Sequence, residues 1–83
     1  MTKKIILGVQ ITDRVKNVPE VQRVLTEFGC NIKTRLGLHE VDKKSCSTIG
    51  LLILETSGPE KQIAALEKRL KNIKGVKVRK MTF

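Results

Sequence analysis

The sequence predicts an α+β fold: a four-stranded antiparallel sheet with two helices on one face, in the order β-α-β-β-α-β. Three observations predict it. Two short, nearly unbroken apolar runs, "KKIILGVQI" (3–11) and "TIGLLILET" (48–56), have the length and character of buried strands. Each is separated from the next alternating run by an amphipathic stretch at helical spacing. Two further runs, 31–41 and the last eight residues, alternate apolar with basic side chains, as half-exposed strands do.

Taken in chain order, the first apolar run passes into the polar loop "TDRVKN". Asn17, with Glu20 three residues on, makes a capping-box-like helix start, and Pro19 is tolerated in a first turn. Val21, Val24, Leu25 and Phe28 mark the buried stripe, and Gly29 stands where a helix stop is expected. "NIKTRLGLHEV" (31–41) then puts Ile32, Leu36 and Leu38 on one face and Lys33, Arg35 and His39 on the other. "DKKSCS" is the turn into the third strand. "SGPE" punctuates before a helix carrying Ile63, Leu66, Leu70 and Ile73, which Gly75 closes. The last strand, "VKVRKMTF", opens by alternating Val76 and Val78 with Lys77 and Arg79.

This order is the ferredoxin-like split βαβ arrangement. In that topology the first and third strands are central and the second and fourth are edges. Here the doubly apolar runs are the first and third, while the second and fourth carry the Lys and Arg that protect an exposed edge. Local pattern and global topology agree. Two helices cover only one sheet face, so Ile6, Leu52 and Leu54 or their neighbours face outward, joined by Met81 and Phe83. An apolar face of that extent predicts an interface, most simply a twofold homodimer or a higher homo-oligomer.

The 83 residues predict one domain, 1–83, at a length where apolar residues must be used efficiently. Forty per cent hydrophobic and 30% charged is the composition of an ordinary soluble domain. The run "IILGVQI" is too short for a secretory core, and no stretch approaches the roughly 20 apolar residues that span a bilayer. With thiols that show no disulfide pattern, the expected compartment is the cytoplasm. Seventeen Lys and Arg against eight Asp and Glu give +9, which favours anionic partners. That charge is scattered along the chain, a pattern of solvated faces before that of a nucleic-acid groove.

Catalysis is not predicted. No nucleophile–base pair with an orienting group and no paired carboxylates occur. "ILGVQITDR" lacks the phosphate cradle ending in arginine that an acylphosphatase loop on this fold needs. Nucleic acid is the rival reading, yet the RNA-binding version of this fold stacks bases on aromatics of its first and third strands, and these strands carry none. Cys30 and Cys46 lie near opposite ends of the second strand and its hairpin, roughly 33 Å apart at strand rise, too far for a disulfide. Cys30 is read as a small buried hydrophobe. If the reversal centres on Asp42 and Lys43, His39 faces Cys46 across the hairpin. Imidazole and thiolate at about 5 Å suit a transition metal, although two ligands fall short of a four-coordinate site.

"DRVKNVPEVQRVLTEFGCNIKTRLGLHE" resembles the ACT-type regulatory layout: an aspartate after the first strand, an amphipathic helix closing on "FG", and "NI" opening the second strand. More closely, "FGCNIKTRLGLHE", "CSTIGLLILE" and "GVKVRKMTF" are similar to small stand-alone ACT-like proteins described as regulators of an iron-only hydrogenase system. The resemblance covers nearly the whole chain. It implies a non-enzymatic regulatory domain that captures a small ligand at a subunit interface with the loop after the first strand. The corresponding residues are Thr12, Asp13, Arg14 and Asn17, with Arg35 able to pair with a carboxylate. "VKN" replaces the Pro-Gly pair that follows the aspartate in amino-acid-binding members. The expectation is therefore an ACT-like sensor of a small ligand or a metal. The alternatives are a basic nucleic-acid-associated module and a docking partner that works through its sheet face.

Overall fold

The computed structural model describes residues 4–12, 14–41 and 46–83, and of 14–16, 38–41 and 46–49 the backbone alone. Strand β1 (Ile5–Ile11) leads to helix α1 (Arg14–Glu27), a 3-10 turn (Gly29–Asn31), the long strands β2 (Ile32–Val41) and β3 (Cys46–Thr56), helix α2 (Glu60–Lys71) and strand β4 (Val76–Thr82). The strands form one antiparallel sheet in the order β2-β3-β1-β4. The two apolar runs are central and the two basic, alternating runs are edges, as their composition predicts. No helix among the described residues is long and apolar enough to cross a membrane.

The core lies between the helices and one sheet face. Ile5, Leu7, Val9 and Ile11 of β1 and Leu52 and Leu54 of β3 are buried there, against Val21, Val24 and Leu25 of α1 and Ile63, Leu66 and Leu70 of α2. Leu7 pairs directly with Leu54 and Val9 with Leu52, so facing residues stack on the same side. Thr56 is the one buried polar side chain among the described residues, and its hydroxyl donates to the Ile5 carbonyl at 2.6 Å. That bond removes the cost of hiding a hydroxyl from water.

Parity places Leu51 and Ile53, not Leu52 and Leu54, on the open face of the sheet beside Ile6. Met81 pairs with Ile6 on that face and is exposed, as its parity predicts, and Phe83 is exposed just beyond the strand. Strand β2 departs from simple alternation. The register shifts between Ile32 and Thr34, so Ile32 opposes Thr56 on the helix side while Thr34 opposes Glu55 on the open side. Lys33 is the extra residue of this irregularity, and such an insertion flips every later side chain. Leu36 therefore emerges on the open face, 53% exposed, and Arg35 and Gly37 fall on the helix side.

Helix α1 begins at Arg14, three residues ahead of the expected start, and Pro19 lies inside it. Asn17 is thus a first-turn residue and not a cap. Its amide reaches back to the Thr12 carbonyl at 2.5 Å, tying the helix to the strand it leaves. At the far end the helix closes without a left-handed glycine. Gly29 opens the 3-10 turn, which has no buried residue, and Cys30 on that turn is exposed. The expectation of a buried Cys30 fails because the turn carries the residue off the sheet before β2 begins.

Candidate functional site

The loop after β1 is held shut by the turn before β4. The Thr12 N–H donates to the Gly75 carbonyl at 2.9 Å and the Thr12 hydroxyl to the same oxygen at 2.7 Å. Gly75 has φ +86°, and a Cβ there would lie 2.7 Å from the Asn17 amide nitrogen and 2.8 Å from the Thr12 hydroxyl. Two of the expected ligand residues, Thr12 and Asn17, thereby stitch β1, α1 and β4 together. Asp13 and the Arg14 side chain lie outside the described residues. The other half of the chain repeats the device: Gly58, at φ +105°, packs against the Asn31 amide, which donates to the Ser57 carbonyl at 3.2 Å.

Arg35 is not part of that loop. It lies on the helix side of edge strand β2, beside a cleft of about 220 Å³ between α1 and the β2–β3 part of the sheet. One wall is the α1 stripe Val18, Val21 and Leu25, and the floor is Leu52 with two glycines, Gly37 and Gly50. Among the described residues, Gln22 and Arg35 are its polar side chains. Arg35 is exposed and forms no ion pair with any described residue. The cleft exists because β2 has Arg35 and Gly37 where a core-forming edge strand would put large apolar residues. Sequence reading passed over Gly37, Gly50 and Gln22. The signal for Gly37 was a glycine interrupting an otherwise good strand, which weakens the strand unless something needs the space.

At the hairpin end, the backbone register opposes His39 to Gly50 and Val41 to Cys46. The expected direct pairing of His39 with Cys46 is therefore replaced, because the strands meet at Val41 and Cys46, two positions off the expected register, and a second shift between His39 and Val41 adds to the offset. The side chains of His39 and Cys46 fall outside the described residues, and among those described no group of three His, Cys, Asp or Glu gathers to hold a metal.

The open sheet face is the other feature without a covering layer. Leu36, Leu51 and Met81 are exposed and Ile6 and Ile53 half-buried across four adjacent strands, with Gln10, Lys77 and Arg79 at one corner. Glu55, on the same face, accepts from Lys4 at 2.7 Å and from Thr34 at 3.0 Å. These two bonds, the lysine's first, hold its carboxyl below the usual glutamate range.

A family model for TM1266-like proteins, described as "Iron-only hydrogenase system regulator, putative", matches residues 3–80. The chain belongs to this family. Among solved structures, this family member is similar to the uncharacterized protein TM1266 from Thermotoga maritima. The identity is 26%, the match covers 98% of this chain and 96% of that one, and the TM-score is 0.83. A nitrogen regulatory PII-like protein, CPII from Thiomonas intermedia K12, bound to ADP, AMP and bicarbonate, shares the fold. It matches at 14% identity, 99% and 93% coverage and a TM-score of 0.56. A dimeric ferredoxin-like protein from an uncultured marine organism matches at 14% identity, 99% and 94% coverage and a TM-score of 0.56. No functionally curated protein matches the chain. The four-stranded sheet with two helices on one face is thus the ferredoxin-like fold of the TM1266-like family and of PII-like regulators.

Proposed function

We propose that this TM1266-like protein is a non-enzymatic, cytoplasmic regulatory domain that acts as a homo-oligomer, two copies meeting through their open sheet faces, and that senses a small ligand. The observation that carries the reading is the exposed apolar set Leu36, Leu51 and Met81, backed by Ile6 and Ile53, on a sheet whose other face packs against the two helices. Monomers rarely leave such a patch bare. The solved relatives named above include one dimeric ferredoxin-like protein and one nucleotide-bound regulator, which favours both halves of the proposal. An exposed, unpaired Cys30 suits a reducing compartment.

Sedimentation velocity at micromolar concentration tests the assembly. The expected species is a dimer or larger, and Leu36→Glu or Met81→Lys converts it to monomer while leaving the unfolding temperature of the monomer intact. A parent chain that sediments as a monomer removes the oligomer from the reading. The regulatory target belongs with the candidate role of the family, an iron-only hydrogenase system. A metal at His39 and Cys46 is a second arm of the sensing proposal, resting on two residues that the hairpin brings to its distal end. Zinc titration that leaves melting unchanged counts against it. No specific observation favours nucleic acid over these readings.

A further inference from the structure

The geometry points to a ligand class for the cleft under α1: a small carboxylate with a short apolar body and no amino group. This rests on the sensing half of the reading above and is independent of the oligomer. The first support is Gly37. Its backbone is not in the left-handed region, and a Cβ there would meet only the Leu52 Cδ1 at 3.9 Å, ordinary contact distance. Neither conformation nor crowding requires a glycine, and in a strand interior glycine is unfavourable. What it supplies is room on the cleft floor.

The second support is the division of the lining. Val18, Val21, Leu25 and Leu52 present apolar surface. Arg35, two residues before Gly37 on the same side of β2, adds a guanidinium with no ion pair among the described residues, and Gln22 adds a carboxamide from α1. A guanidinium offers two parallel donors that fit a carboxylate, and the chain's surplus of +9 further favours an anion. Among the described residues that line the cleft none is acidic, so an ammonium group would meet no counter-charge from them. That separates the expected ligand from a zwitterionic amino acid. The third support is size. A volume of about 220 Å³ lies below the roughly 300–1,000 Å³ of pockets for drug-sized molecules, so the ligand is small.

The probe is 4-methylpentanoate, with leucine and 4-methylpentanol as counterparts that add an ammonium or remove the charge. Binding is followed by amide shifts in two-dimensional NMR, with sedimentation run on the same samples. The expected result is saturable shifts at Val18, Gln22, Arg35 and Gly37 with 4-methylpentanoate, at least tenfold weaker binding of leucine and the alcohol, and a tenfold or greater loss in Arg35→Met. Gly37→Val, which fills the floor, abolishes binding while its unfolding temperature stays at or above the parent's. Absence of saturable shifts, equal binding of all three probes, or an Arg35→Met variant that binds like the parent overturns the inference. A dimer that fails to bind leaves the assembly reading standing. A monomer that binds with the stated selectivity leaves this inference standing and removes the oligomer.

Discussion

Gly75 and Gly37 show at the residue scale how differently two glycines are constrained. At Gly75 the backbone is left-handed and the space beside it is filled by Thr12 and Asn17, whereas at Gly37 it is neither. Gly75→Ala therefore combines an unfavourable φ with a clash and is expected to cost about 1–3 kcal/mol of stability. Gly37→Ala is expected to be neutral or slightly stabilising. Urea denaturation of the two variants beside the parent checks both, and a harmless Gly75→Ala would show that the Thr12–Asn17 stitch yields easily. The sequence marks Gly75 as the stop of a helix that includes Ile73, but α2 ends at Lys71 with Asn72 as its cap, and Gly75 belongs to the turn before β4, where Thr12 and Asn17 press on it. Asn17 reads as a cap because its spacing to Glu20 imitates one. Its true partner, the Thr12 carbonyl, follows from where α1 begins, and that depends on the loop's anchorage to a turn 63 residues away from Thr12.

Among the elements, the two helices are joined at one end by charge as well as by their apolar stripes. Arg69 of α2 makes two bonds to the Glu27 carboxylate of α1, at 2.7 and 3.1 Å, and its guanidinium lies 6.0 Å from the centre of the Phe28 ring. The Arg69 hydrogen bonds hold the Glu27 carboxyl below its ordinary value of 4.5. A carboxyl lowered on folding contributes stability above its unfolded value, and that contribution is lost as pH falls through the folded value. Glu27→Gln is therefore expected to melt below the parent at neutral pH, with the gap closing as the pH drops under about 4.5. Because the pair is exposed, the gap is small. Melting curves of both proteins across that range decide it, and a gap that persists in acid would mean the glutamate's contribution is not its charge. Element order and the central or edge rank of each strand were legible because composition tracks burial. The register of β2 was not. One extra residue at Lys33 exchanges the faces of everything after it, and no local preference announces that insertion. The cleft was hidden for the same reason, since Arg35 and Gly37 come under α1 only after the exchange.

For the whole molecule, net charge and the open face pull in opposite directions. The chain extends 47 × 21 × 17 Å, since β2 and β3 run on as a two-stranded arm past Ile11, the last β1 residue paired to β3. Each copy brings +9 into an assembly, and Lys77 and Arg79 sit at the corner of the face proposed to meet its twin. Burying Leu36, Leu51 and Met81 favours association, while self-repulsion opposes it over a range of about 10 Å at 0.1 M salt. Added salt shortens that range and leaves apolar burial intact. Dimerisation is therefore expected to strengthen several-fold between about 50 and 300 mM sodium chloride, and the unfolding temperature to rise with it. Contact with nucleic acid has the opposite sign, because bound phosphates release counterions and the affinity falls steeply as salt rises. Sedimentation equilibrium across the salt series reads the first quantity, and a gel shift with a short duplex over the same series reads the second. An association that weakens as salt is added would mean that charged contacts, not the apolar face, hold the copies together.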